Sequence, residues 1–160
     1  MKDPELSRIQ HIFWFAPFNP ACPSTRYRGL YPLRYMKSRY GITYTFVYPS
    51  YRPTKILVFL KAWFTAAFLA PKHSIIVIQK IHTSRMYGRA LKMLVKLRQS
   101  RTIYDLDDAE HLRRPVDSLS YFLRHCNTVF AGSQALKSYV RQFNKQVHVL
   151  TSPVTDHCIK

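Results

Sequence analysis

Residues 74–79 read SIIVIQ, four aliphatic side chains in a row between a serine and a glutamine. A strand with one wet face alternates apolar and polar residues. A near-continuous aliphatic run instead fits a strand covered on both faces, as in a parallel sheet sandwiched by helices. Working outward, five more short runs read as strands: IQHIFWFA (9–16), ITYTFVY (42–48), TIYDL (102–106), NTVFA (127–131) and VHVL (147–150). Prolines at 17 and 49 stop the first two.

Helix-like segments fill the gaps. Leu30, Leu33 and Met36 share one helical face, with Pro32 suited to the first turn and Gly41 to the exit. The stretch ILVFLKAWFTAAFLA (56–70) predicts a helix stopping at Pro71. At fifteen residues with a lysine inside, it falls short of the ~20 needed for a membrane span. Either it is buried or it lies in a membrane interface; its aromatic and aliphatic stripes favour burial. Residues 84–98 place Tyr87, Leu91, Leu94 and Val95 on one face, and 115–126 do the same with Val116, Leu119, Phe122 and Leu123. Ser133 is a good N-cap for SQALKSYVRQF. Alternating strands and helices predict right-handed crossovers. The expected fold is α/β: one Rossmann-like domain over residues 1–160, with a parallel sheet of about six strands and helices on both faces.

The chain carries 25 Lys and Arg against 8 Asp and Glu, a net charge of +17. No acid lies between residues 6 and 104, whereas four carboxylates fall within YDLDDAEHLRRP (104–115). Such a balance favours polyanionic partners: nucleic acid, an anionic membrane surface or phosphorylated small molecules. Basic residues interleaved with aromatics, as in TRYRGLYPLRYMKSRY, fit nucleic acid, but no recognised nucleic-acid module is present. Three widely spaced cysteines without C-x-x-C predict a reducing compartment and neither disulfides nor zinc. The opening MKDPELSRIQ lacks the apolar run of a secretory signal. A cytoplasmic protein, peripheral at the inner membrane face if membrane-associated, is expected.

In open parallel sheets ligands bind beyond the carboxyl ends of the strands. Three segments follow strand ends: PFNPACPSTRYR, DLDDAEH and GSQ. With four glycines, no G-x-G-x-x-G and no G-x-x-x-x-G-K-[ST], a self-sufficient dinucleotide dehydrogenase or P-loop NTPase is not expected. The candidate acceptor- or phosphate-binding residues are Asn19, Ser24, Arg26, Arg28 and Ser133. Either arginine can grip a phosphate bidentately, or be a surface residue at a helix start. Ser133 can face a phosphate or simply cap. Asp107, Asp108 and His111 are the candidate catalytic groups. A carboxylate there can orient a hydroxyl or support developing positive charge, or merely pair with Arg113 and Arg114. Asp105 reads as a strand residue, apart from the rim acids Asp107, Asp108 and Glu110.

The D-x-D of YDLDDAE resembles the first motif of haloacid-dehalogenase-type phosphatases. Ala109 occupies that motif's usual Thr or Val position, and after Glu110 only Asp117 and Asp156 remain to hold magnesium. A second resemblance covers nearly the whole chain. PSTRYRGLYPLRYM after an early strand, IYDLDDAEH, TVFAGSQALKSYV and VHVLTSPV stand in the order of the N-terminal half of a retaining GT-B-type glycosyltransferase. That resemblance implies two Rossmann-like domains facing one cleft, with a saccharide or lipid-linked acceptor bound mainly by this one. It implies a nucleotide-sugar co-substrate gripped by a second domain carrying Glu-x7-Glu, which this sequence lacks. It also implies no metal, no other cofactor and little activity for this half alone.

Overall fold

The computed structural model describes residues 9–80, 85–109 and 117–151. Among them, six strands form one all-parallel sheet. They are β1 (His11–Phe15), β2 (Thr43–Val47), β3 (Ser74–Gln79), β4 (Thr102–Leu106), β5 (Thr128–Ala131) and β6 (Val147–Val149). The lateral order is β2-β1-β3-β4-β5-β6. The expected Rossmann-like α/β architecture is therefore the observed one. The central run SIIVIQ is β3, flanked by β1 and β4, and only its Ile75 is more than marginally exposed.

Among the described residues five α-helices connect the strands: α1 (Tyr31–Tyr40), α2 (Pro53–Phe64), α3 (Arg85–Arg98), α4 (Asp117–His125) and α5 (Gln134–Val140). Pro32 stands in the first turn of α1, and Gly41 ends it in the left-handed conformation at φ 74°. One face of the sheet packs on α1: Leu33 sits among Ile12, Trp14 and Val77, with Met36 and Tyr40 against them. The other face carries α2 to α5, with Leu91, Leu94, Phe122, Leu123, Leu136 and Val140 covering Phe13, Ile76, Tyr104 and Val129. Tyr104 and Phe122 stack with centroids 5.3 Å apart, which fixes α4 over β4.

Two local readings need correction. α1 is preceded by a π-helical stretch, Thr25–Leu30, so helical backbone begins five residues before the Leu30 from which the sequence reading starts its helix. Wide π turns of this kind concentrate at functional sites. The apolar helix α2, expected to be buried, is largely exposed. Within it only Ala62 is buried, with Ala66 and Ala67 in the π-helical Thr65–Leu69 that follows. Its inner contact is made by these alanines together with half-buried Phe59 and Trp63, and Leu57, Leu60, Phe64 and Phe68 are left outside. Among the described residues no helix is long and apolar enough to cross a membrane.

Candidate functional site

The strand order reverses between β1 and β3: the chain leaving β1 passes to α1 on one face, and the chain leaving β3 passes to α3 on the other. Connections diverge there, opening a crevice at the strand carboxyl ends. Gln79, the last residue of β3 and fully buried, crosses it. Its Oε1 accepts Trp14 Nε1–H at 3.0 Å, and its Nε2 donates to the Ser24 carbonyl at 3.2 Å. The π-helical stretch comes close to the sheet because Gly29 has no side chain; a Cβ there would lie 2.9 Å from Trp14 Nε1.

That approach delivers Arg28 to β4. Its Nε donates to Asp105 Oδ2 at 3.0 Å, Nη2 pairs with Oδ1, and Nη1 donates to the Leu150 carbonyl at 2.8 Å. The two side chains are 2% and 1% exposed. This fork-on-fork pair joins the first helix, the middle of the sheet and the chain leaving β6. Burial, the largest influence, pulls the Arg28 guanidinium down, but the bonds to Asp105 outweigh it and leave it above its ordinary value. Arg28 is thus a committed cation whose fork is filled by protein. Asp105, with burial pushing its carboxyl up and Arg28 pulling it down, stands in the strand as the sequence reading had it. It is enclosed by the arginine and beyond reach as a phosphatase nucleophile.

Lys80, just past β3, is the residue that sequence reasoning missed. Its backbone is in the left-handed region at φ 42°, the one described non-glycine residue with positive φ. For a side chain with a Cβ that conformation costs on the order of 1–3 kcal/mol, and such strain gathers at functional sites. Its N–H donates to the Asp105 carbonyl at 3.0 Å. Nζ pairs with Asp108 Oδ2 and lies 3.2 Å from Asp107 Oδ1. Both contacts are ion pairs, and the Asp107 oxygen is buried. Burial works against the Lys80 charge most strongly, yet Asp108 and Asp107 together hold the ammonium above its ordinary value. Gly132 lets β5 end against this turn: a Cβ there would meet the Asp107 carbonyl at 2.5 Å. The outcome is graded exposure, with Lys80 and Asp107 nearly buried and Asp108 56% exposed. The sequence signal for Lys80 was only its place after an aliphatic strand, equivalent to that of Asp107 after β4.

The remaining candidates lie around this centre. Asn19 is exposed in the loop after β1, where its Oδ1 accepts the Ala21 N–H at 2.8 Å. Ser24 is half-buried, with its Oγ 3.4 Å from Cys22 Sγ. Arg26 is half-buried, its guanidinium 6.0 Å from the Tyr27 ring centre and its Nε buried without a hydrogen bond. Ser133 caps α5, its Oγ accepting the Leu136 N–H at 3.2 Å. His111, Glu110, Arg113 and Arg114 lie outside the described residues.

A cavity of about 380 Å³ adjoins the crevice, lined by Asn19, Pro20, Tyr48, Ser50, Arg52 and Lys55. A larger one, about 740 Å³, lies at the opposite, amino-terminal end of β4 and β5 among Arg98, Arg101, Arg124 and Asn144. The chemistry described above is at the carboxyl ends, so the smaller cavity is the relevant one. Among the described residues no three His, Cys, Asp or Glu side chains converge to hold a metal ion. The arrangement can bind hydroxyls at Asp108 and anions at Arg26, Arg52 and Lys55. The sequence matches no protein-family model and no curated protein.

Proposed function

We propose that this chain is the acceptor-side half of a nucleotide-sugar-dependent GT-B-type glycosyltransferase. The observation that carries it is the carboxylate Asp108, half-exposed at the switch-point crevice and backed by buried Lys80 and Asp107. In this reading Asp108 accepts a hydrogen bond from an acceptor hydroxyl. Asp107 and Lys80 fix its position. Arg26 with the Asn19–Ser24 loop meets a phosphate of the acceptor or donor. Gripping the nucleotide sugar falls to a second Rossmann-like unit. Carboxylates next to a reacting hydroxyl stabilise positive charge that develops at the sugar during transfer.

The test is titration of the ¹⁵N-labelled chain with free oligosaccharides, short-chain polyprenyl-phosphate sugars and nucleoside diphosphates. Amide shifts at Lys80, Asp107 and Asp108 with a saccharide, and their weakening by about tenfold or more in Asp108→Asn, are expected; that loss matches one hydrogen bond to a charged group. Unchanged saccharide affinity in Asp107→Asn and Asp108→Asn refutes the site. Sugar transfer by the 160-residue chain alone refutes the half-enzyme assignment. Tight RNA binding at physiological salt, without saccharide binding, replaces the reading with nucleic-acid recognition.

A further inference from the structure

The twelve residues of α2 continue without a break into the five of Thr65–Leu69, a rod about 25 Å long. Its inner edge is held by Ala62, Ala66 and Ala67, by Phe59 against Tyr87 at 4.7 Å, and by Trp63 Nε1–H donating to the Ala90 carbonyl at 2.7 Å. Its outer edge is also apolar. Leu57 (66% exposed), Leu60 (52%), Phe64 (52%) and Phe68 (55%) follow one another by three, four and four residues, which lines them up on one side. Such a stripe on the outside of a domain marks an interaction surface.

The charges bordering it identify the occupant. Arg52 and Lys55 are exposed at the start of the helix, Lys61 within it and Lys72 just beyond. Neighbouring α3 adds exposed Met86, Met93 and Leu97 beside exposed Arg89 and Lys96. No Asp or Glu occurs anywhere from residue 6 to 104. A second copy of this chain would bring the same uncompensated cations face to face and be repelled. A layer of anionic headgroups over an apolar interior complements both features at once.

We infer that the outer face of α2 docks in the plane of an anionic lipid bilayer, its Leu–Phe stripe in the interfacial region and its Lys and Arg among the headgroups. The rod is shorter than a hydrocarbon core of ~30 Å and so lies on the membrane. Arg52 and Lys55 also line the small cavity with Asn19, so the docked face begins at the rim of the crevice. The inference does not depend on the acceptor reading.

Flotation of the purified chain with phosphatidylcholine vesicles, with and without phosphatidylglycerol, tests it. Binding to the anionic vesicles about tenfold or more above the neutral ones, falling with salt, is expected. Leu60→Ser/Phe64→Ser should lower it about tenfold again while far-UV circular dichroism and the urea midpoint stay unchanged. A Phe64→Trp reporter should shift its emission to the blue on anionic vesicles. Wild-type binding by the double-serine variant overturns the proposal. So does a homodimer, seen by sedimentation velocity, that the same substitutions dissociate without any lipid binding.

Discussion

Arg28→Met removes the guanidinium from the Asp105 fork while keeping a long, flexible stem in its place. Both partners are almost wholly buried, so water cannot replace the lost charge. Removing one member of such a pair costs about 3–5 kcal/mol, because the other is left as an uncompensated buried ion. For a chain of this size each kcal/mol moves the midpoint by about 2–4 °C, so the melting temperature should fall by roughly 6–20 °C. Urea unfolding at pH 7, followed by the fluorescence of Trp14 and Trp63, measures the loss directly. Arg28→Met/Asp105→Leu should recover most of it, since an apolar pair of similar volume is commonly no less stable than a buried ion pair. The pH dependence has a definite sign. Without the arginine, burial raises the Asp105 carboxyl still further above its ordinary 3.8. The folded variant then holds a proton that the unfolded chain has released, and its stability declines as pH rises above that value. The deficit relative to wild type should accordingly shrink as pH is lowered from 7 toward 5. A loss below about 1 kcal/mol, or a double variant as unstable as the two singles combined, refutes the view that this pair is a coupled clamp.

Lys80 gives a second, alkaline signature. Its folded-state ammonium titrates above its ordinary 10.5, so its contribution is fully present below that pH and is lost as pH rises through the folded value. The difference in unfolding free energy between wild type and Lys80→Met, measured by urea titration from pH 8 to 11.5, should narrow only above about 10.5; a difference independent of pH counts against the ion pairs. The cysteines should separate by reactivity. The Ser24 hydroxyl draws the half-buried Cys22 thiol below its ordinary value, whereas burial pushes the Cys126 thiol up to about 12. Peptide mapping after iodoacetamide treatment at pH 7.5 should find Cys22 alkylated well before Cys126, and the reverse order refutes the placement of the loop.

The strands were readable because each rests on a short-range signal. The unbroken run of β3, the prolines after β1 and β2, and the Ser133 cap all act within a few residues. What escaped reading depends on distant parts of the chain. Arg28 read as a phosphate-gripping or a surface arginine because its partner lies 77 residues away, in a strand whose place only the topology decides. Lys80 sat at a strand end like many lysines, and its left-handed backbone leaves no compositional mark. α2 was misjudged because hydrophobicity alone does not say which face packs. Alanines with Phe59 and Trp63 made the contact, whereas Leu57, Leu60, Phe64 and Phe68, read as core, form the outer stripe. Of the candidate site, Asp107, Asp108 and the loop Asn19–Ser24 were named from the sequence, but the lysine that pairs with the two acids was not.

The crowding of acids just after a long basic stretch has a spatial explanation. Topology brings two otherwise buried cations, Arg28 and Lys80, to the carboxyl end of β4, where desolvation would be costly without partners. Asp105 answers the first. Asp107 and Asp108 answer the second, and because Asp108 remains half-exposed it can be shared with a ligand. The exposed cations of α2 and α3 have no acid in their own stretch of chain and remain open to a polyanionic surface. The two populations should therefore respond differently to ionic strength. Exposed charges are screened within about 10 Å at 0.1 M salt, whereas buried pairs are screened much less. Raising salt should release the chain from anionic vesicles while leaving the Arg28–Asp105 contribution to stability nearly unchanged. Parallel loss of both would mean that the buried pair is accessible to solvent, and the division between internal and external cations would fail with it.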